Sequence, residues 1–124
     1  IDLVYWHFAA NAFTLRALAA PKKRTTRGPD MSWYPEGVAI VLENQADDGS
    51  WPAVGAWGAQ GGETYSTATC LLYLLAPAQF SADFFQVHRD RKPDTYKRIA
   101  EALEKAGKSK DPRIAFAAKL ALIR

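Results

Sequence analysis

Apolar positions in this chain fall into blocks with helical spacing, and they rarely alternate with the period of two that a strand requires. From Leu3 to Ala20 the pattern predicts a first helix, with Tyr5, Phe8, Ala9, Ala12, Phe13, Arg16 and Ala17 along one stripe. Asp2 is placed to cap it and Pro21 to end it. Lys22 to Asp30 has no periodicity and reads as a basic loop. A second helix begins near Ser32, a good N-cap, with Pro35 and Glu36 in its first turn. Its inward stripe is Trp33, Gly37, Ile40, Val41 and Asn44. Gly49, Pro52, Gly55, Gly58, Gly61 and Gly62 break the stretch from Ala46 to Glu63, where a long loop is expected. Trp51 and Trp57 lie inside it, and two indoles in one loop predict that it packs down onto the core. A third helix, Tyr65 to Ala76, is apolar nearly all round, which marks a buried helix, and Pro77 ends it. A short helix or turn follows around Ser81 to His88. Asp94 to Ala106 is amphipathic, with Tyr96, Ile99, Ala102, Leu103 and Ala106 inward and Gly107 as C-cap. Asp111 caps a last helix, Pro112 to Ile123, with Ile114, Ala117, Ala118, Ala121 and Leu122 inward. The class is all-α, with about five or six helices.

Composition fits a packed domain. Of 124 residues, 48% are hydrophobic and 23% charged, so a core can form and bulk disorder is not expected. No apolar run approaches the ~20 residues of a membrane span, and nothing near Ile1 reads as a signal peptide. The chain opens on Ile1 rather than Met, so we read it as processed or as part of a longer protein. Its single cysteine, Cys70, excludes an internal disulfide and does not set a compartment. The net charge of +3 is unevenly spread. Residues 31 to 76 hold no Lys or Arg but carry Glu36, Glu43, Asp47, Asp48 and Glu63, whereas residues 77 to 124 are strongly basic. We read these blocks as solvated faces, and divide the chain into a segment 1–76 and a basic C-terminal helical hairpin, 77–124, packed on it in one structural domain.

The most informative stretch runs from Gly37 through Gln45, Asp48 and Gly49 to Trp51. A helix ends in Gln, an Asp-Gly turn follows, and a Trp comes two residues after the Gly. Gly49 can take positive φ and turn the chain sharply. Asp48 can bond back to the turn's amides. Gln45 can satisfy backbone groups at a helix end, and Trp51 can close the loop against the helix. Together they predict a clasp between helices. This pattern resembles the QW motif of squalene-hopene and oxidosqualene cyclases, with Ile40 where those proteins usually have an aromatic. Glu63-Thr-Tyr-Ser-Thr-Ala-Thr-Cys-Leu-Leu-Tyr-Leu is similar to the helix that follows in those repeats. The approach through Trp33, Tyr34, Glu36 and Gly37 resembles the closing repeats of bacterial squalene-cyclase-like proteins. The resemblance covers roughly Leu3 to Leu75. It implies membership of the squalene-cyclase and prenyltransferase-like superfamily and antiparallel helix pairs in a partial α/α toroid or an open helical array. Thioester domains of the α2-macroglobulin type share a similar turn, but their Gly-Cys-Gly-Glu-Gln sequence is missing here.

Candidate chemistry is sparse. The resemblance directs attention to Asp47-Asp48, since class II cyclases use an Asp-x-Asp-Asp acid, but both residues belong to the turn and position 45 is Gln. No catalytic set is therefore assigned. Zinc is not expected either: Cys70 sits in an apolar helix, far in sequence from His7 and His88. Tyr5, Trp6, Trp33, Trp57 and Tyr65 could line an apolar pocket, but aromatics at helical spacing more often form a core, and that is the reading we prefer. Arg89, Arg91 and Lys92 could contact an acidic partner, whereas nucleic acid lacks support. The reading is a non-catalytic helical binding or scaffold module that needs no cofactor. Its partner would be another protein, the rest of its own toroid, or an apolar, isoprenoid-like ligand. The alternative is the C-terminal part of a terpene cyclase whose acid lies outside this segment.

Overall fold

A computed structural model describes residues 2–19, 31–79 and 82–123. The expected end of the first helix at Ala20, the loop from Lys22 to Asp30 and the start at Ser81 lie outside them. Six helices follow one another: α1 (Leu3–Ala19), α2 (Tyr34–Glu43), α3 (Gly55–Leu74), α4 (Ala82–Arg91), α5 (Pro93–Ala106) and α6 (Pro112–Ile123), with a 3-10 turn at Ala76–Gln79. No strand occurs among the described residues. The molecule is all-α, as the spacing predicts.

The packing centres on α3. It lies against α1 on one side and α6 on another, while α2 rests on α3 and α5, and α4 and α5 follow around the end. The core runs through Leu3, Val41, Trp51, Leu71, Leu74, Ile99, Leu103 and Ile114. Helix α5 has the strongest division between apolar and charged faces. All five of its predicted inward residues, Tyr96, Ile99, Ala102, Leu103 and Ala106, are buried. Pro93 opens it at the first position, where no amide partner is lost. On α6, Ile114, Ala118 and Ala121 are buried, but Leu122 faces out at 40% exposure. The Asp111 carboxylate accepts the Arg113 amide at 2.9 Å, which is the expected cap.

Four expectations are corrected. Helix α1 turns a different side inward: Leu3, Val4, Ala10 and Thr14 are buried, whereas Tyr5, Phe8 and Phe13 are exposed. With apolar residues all around this helix, spacing alone could not set its rotation. Helix α2 starts at Tyr34, with Trp33 rather than Ser32 as N-cap, and buries Tyr34 and Val38 in place of Trp33 and Ile40. The glycine-rich stretch expected as loop up to Glu63 is helical from Gly55, with a break at Gly62 (φ 82°, ψ 176°). Finally, α3 is not buried all round. Leu72 is 50% exposed, and the α-helical ladder stops at Leu74 because Pro77 has no amide to continue it.

Candidate functional site

Three features of the fold could carry a function: the clasp around Trp51, a row of aromatic rings, and two surface clefts. In the clasp, α2 ends and the chain doubles back between Ala46 and Ser50. The Ala46 amide donates to the Ser50 carbonyl at 2.8 Å, and the Gly49 amide to the Ala46 carbonyl at 3.0 Å. Gly49 takes φ 88°, a left-handed value that favours glycine, and it lies flat against the Lys105–Ala106 backbone of α5. Asp48 accepts from the Ser50 amide at 3.0 Å and its hydroxyl at 2.6 Å. Those bonds hold its carboxyl below the usual carboxylate range. Gln45 sends its amide group two ways, to the Gly49 carbonyl at 3.0 Å and to the Ala102 carbonyl of α5 at 2.8 Å.

Trp51 is fully buried. Its indole N–H donates to the Val41 carbonyl of α2 at 2.6 Å, and its backbone amide donates to the Thr67 hydroxyl of α3 at 2.9 Å. One residue thus joins α2 to α3, while Gln45 and Gly49 join the same turn to α5. The fifth motif position, Gly37, faces the Tyr73 hydroxyl, where a Cβ would have no room.

A row of aromatic rings crosses the molecule behind the clasp. Phe13 stacks on Trp33 at 5.5 Å, Trp33 meets Tyr73 edge-on at 6.0 Å, and Tyr73 stacks on Tyr34 at 5.7 Å. Tyr34 then meets His88 at 5.6 Å, and His88 meets Tyr96 at 5.7 Å. The two stacked tyrosines are cross-bonded. Tyr34 donates its hydroxyl to the Leu74 carbonyl at 2.5 Å, and Tyr73 donates its hydroxyl to the Tyr34 carbonyl at 3.1 Å. The Leu74 carbonyl ends α3 and lacks a helical partner, so this bond also caps the helix. His88 Nδ1 lies 2.8 Å from the Tyr96 hydroxyl. Burial, with the charges of Lys92 and Arg91 behind it, lowers the affinity of His88 for a proton. Burial pushes the Tyr96 hydroxyl up to about 12. Sequence reasoning placed Tyr34 and Tyr73 among the core aromatics, where they lie, but did not join them to His88 in one row. Their signals were present, in an aromatic beside Trp33, a tyrosine in an apolar helix and a histidine near the basic junction, but each is far from the others in sequence.

The structure does not gather into a pocket the five aromatics offered as its possible lining. Trp6 and Trp33 pack against the core, whereas Tyr5, Trp57 and Tyr65 are exposed at 57%, 59% and 41%. Trp57 is thus not packed down: its ring is exposed at α3's first turn, while its backbone amide donates to Asp2 at 2.9 Å. Nor do the three cations form one group. Arg89 bonds to Gln86 and sits over the Phe85 ring at 5.4 Å, while Arg91 and Lys92 border a cleft of about 260 Å³ with Met31, Pro35 and Val87. Cys70 is buried in α3, and burial raises its thiol to about 12, so it stays protonated near neutral pH. Among the described residues, no three His, Cys, Asp or Glu side chains come together as a metal site, and no helix is long and apolar enough to cross a membrane.

The larger cleft, about 370 Å³, lies between α3 and α6. Its walls are Ala68, Leu71, Leu72 and Leu75 on one side and Ala117, Leu120 and Ala121 on the other, with no charged residue among them. Leu72 and Leu120 are each half exposed at its mouth. No family model matches the chain, and no curated protein or solved structure matches it.

Proposed function

We propose that this chain is a non-catalytic helical binding or scaffold module of squalene-cyclase-like type, in which the Trp51 clasp fixes the helices and the α3–α6 groove receives an apolar ligand. The observation that carries the reading is the groove itself. It is concave, open and lined by aliphatic side chains alone, and its volume falls in the lower range of small-molecule sites. The side chains able to do chemistry support the same reading. Asp48 is held ionised by the turn it stabilises, the reverse of the protonated carboxyl that an alkene-protonating acid requires. Cys70 is buried and protonated.

Incubation with squalene, and separately with a prenyl diphosphate, followed by product analysis tests the absence of catalysis. The expected result is unchanged substrate, with squalene-dependent protection of the α3 and α6 amides from hydrogen exchange. A cyclised product lost in Asp48→Asn would overturn the module reading in favour of a cyclase segment. Protection unaffected by Leu120→Lys would remove the groove as the binding place.

A further inference from the structure

Helix α1 is apolar on the side that faces away from the core as well as on the side that faces it. Leu3, Val4, Ala10 and Thr14 are buried. On the opposite side Tyr5 is 57%, Phe8 47%, Phe13 40% and Leu15 67% exposed. Trp57 extends this surface from α3, its ring 6.2 Å from Phe8. Arg16 is the only Asp, Glu, Lys or Arg in the helix. A helix lying on the surface of a globular protein normally turns a charged or polar stripe to water. Here that stripe is aromatic, and contiguous apolar surface of this extent marks an interface.

We propose that α1 is the seam of a homodimer, in which two copies of this chain pack their first helices antiparallel, crossing at Ala9. The lone charge decides the direction. A parallel pair would set Arg16 beside Arg16 of the partner subunit, whereas an antiparallel pair crossing at Ala9 sets it beside Asp2 of the partner subunit. Asp2 keeps an acidic group at that end, since it is only half buried while its two oxygens accept the Val4 and Trp57 amides. The same register places Tyr5 opposite Phe13 of the partner subunit, twice by symmetry, an isologous match of the kind a twofold axis demands. Ala9 and Ala12, small residues among the rings, let the two axes approach to roughly 8–10 Å. In this register Leu15 falls off the seam, so Tyr5, Phe8, Phe13 and Trp57 supply the contact, on the order of 400 Å² per protomer and under about 1,000 Å² for the pair, which is the range of a weak, concentration-dependent dimer. The dimer would form whether or not the α3–α6 groove takes a ligand, because the two surfaces share no residue: Trp57 stands at the start of α3, and the groove begins at Ala68.

Size-exclusion chromatography with light scattering, on the whole chain, reads the mass directly. The expected result is twice the chain mass at roughly 100 µM, falling toward one chain mass on dilution, as suits an interface at the small end of the range. Ala9→Glu should leave the circular-dichroism melt within a few degrees and give a monomer. Ala9→Cys should form an inter-chain disulfide under mild oxidation, whereas Glu104→Cys, on the exposed side of α5, should not. Cys70 is buried and does not compete. A single-chain mass at every concentration overturns the proposal. So does a dimer that survives Ala9→Glu with its fold intact, or equal cross-linking at the two engineered positions.

Discussion

Trp51 meets the protein through its buried ring, its indole N–H on the Val41 carbonyl, and its backbone amide on the Thr67 hydroxyl. Replacement by Ala leaves a large cavity among three helices and should lower stability by about 3–5 kcal/mol, read as a fall in Tm. A change of a degree or less would mean that the ring is not packed. Two glycines make a sharper comparison. Gly49 and Gly62 both have positive φ, but a Cβ on Gly49 would run into the Lys105 carbonyl, while a Cβ on Gly62 meets nothing within 4 Å. Gly62→Ala should cost about 1–3 kcal/mol from backbone strain alone. Gly49→Ala should cost clearly more, because α5 must also move, and urea unfolding of the two variants would measure the difference. The bonds inside the turn were legible in the sequence because its residues are neighbours, so ordinary turn chemistry predicts Asp48 and Gly49. The second bond of Gln45 was not legible, since its acceptor, Ala102, lies 57 positions away.

Helix α5 could be read to the residue because its apolar and charged positions separate cleanly, and only one rotation buries the former. Helix α1 lacks that asymmetry. Packing against α3 favoured its smaller side chains, Ala10 and Thr14 beside Leu3 and Val4, and left the larger rings outside. The start of α3 was missed for another reason: a glycine-rich run disfavours helix by roughly 1 kcal/mol per glycine in its interior. Here a tertiary contact opposes that preference. Asp2 accepts the Val4 amide at 3.1 Å and the Trp57 amide at 2.9 Å, so one carboxylate serves the first turns of both α1 and α3. Asp2→Ala should therefore destabilise by about 1–3 kcal/mol, as removal of one or two helix caps would. Hydrogen exchange should quicken at residues 4 and 57 together. Faster exchange at residue 4 alone would show that the two starts are not joined.

At the scale of the whole molecule, the aromatic row ties five helices together, and His88 makes it sensitive to acid. The folded state lowers the proton affinity of His88, so the unfolded chain takes up the proton first. The stabilising contribution is fully present above the unfolded value of 6.5 and is lost as pH falls from there. Asp111 adds a second loss. The Arg113 bond holds its carboxyl at about 2 against an ordinary 3.8, so that contribution fades between those values as pH falls. Urea midpoints should thus decline below about pH 6.5, and His88→Phe should flatten part of the upper decline, the rest belonging to His7, whose proton affinity burial also lowers, while leaving the lower part in place. An unchanged profile in that variant would assign the acid sensitivity elsewhere. The helical class was readable in advance. The α3–α6 groove was not, because it brings Leu72 together with Leu120 across almost fifty positions of sequence.

The bond from Gln45 to the Ala102 carbonyl, with Gly49 pressed on Lys105, bears on where this chain can be divided. A boundary drawn after residue 76 by composition and charge would cut the backbone only in the turn between α3 and α4, yet it would strip the clasp of its outer wall. The Gln45 amide would lose an acceptor, and the backbone beside Gly49 would open to water. The basic hairpin is therefore the lid of the turn rather than an appendage. Folding of the first three helices should wait on its arrival, so that the two parts melt as one cooperative unit instead of in succession.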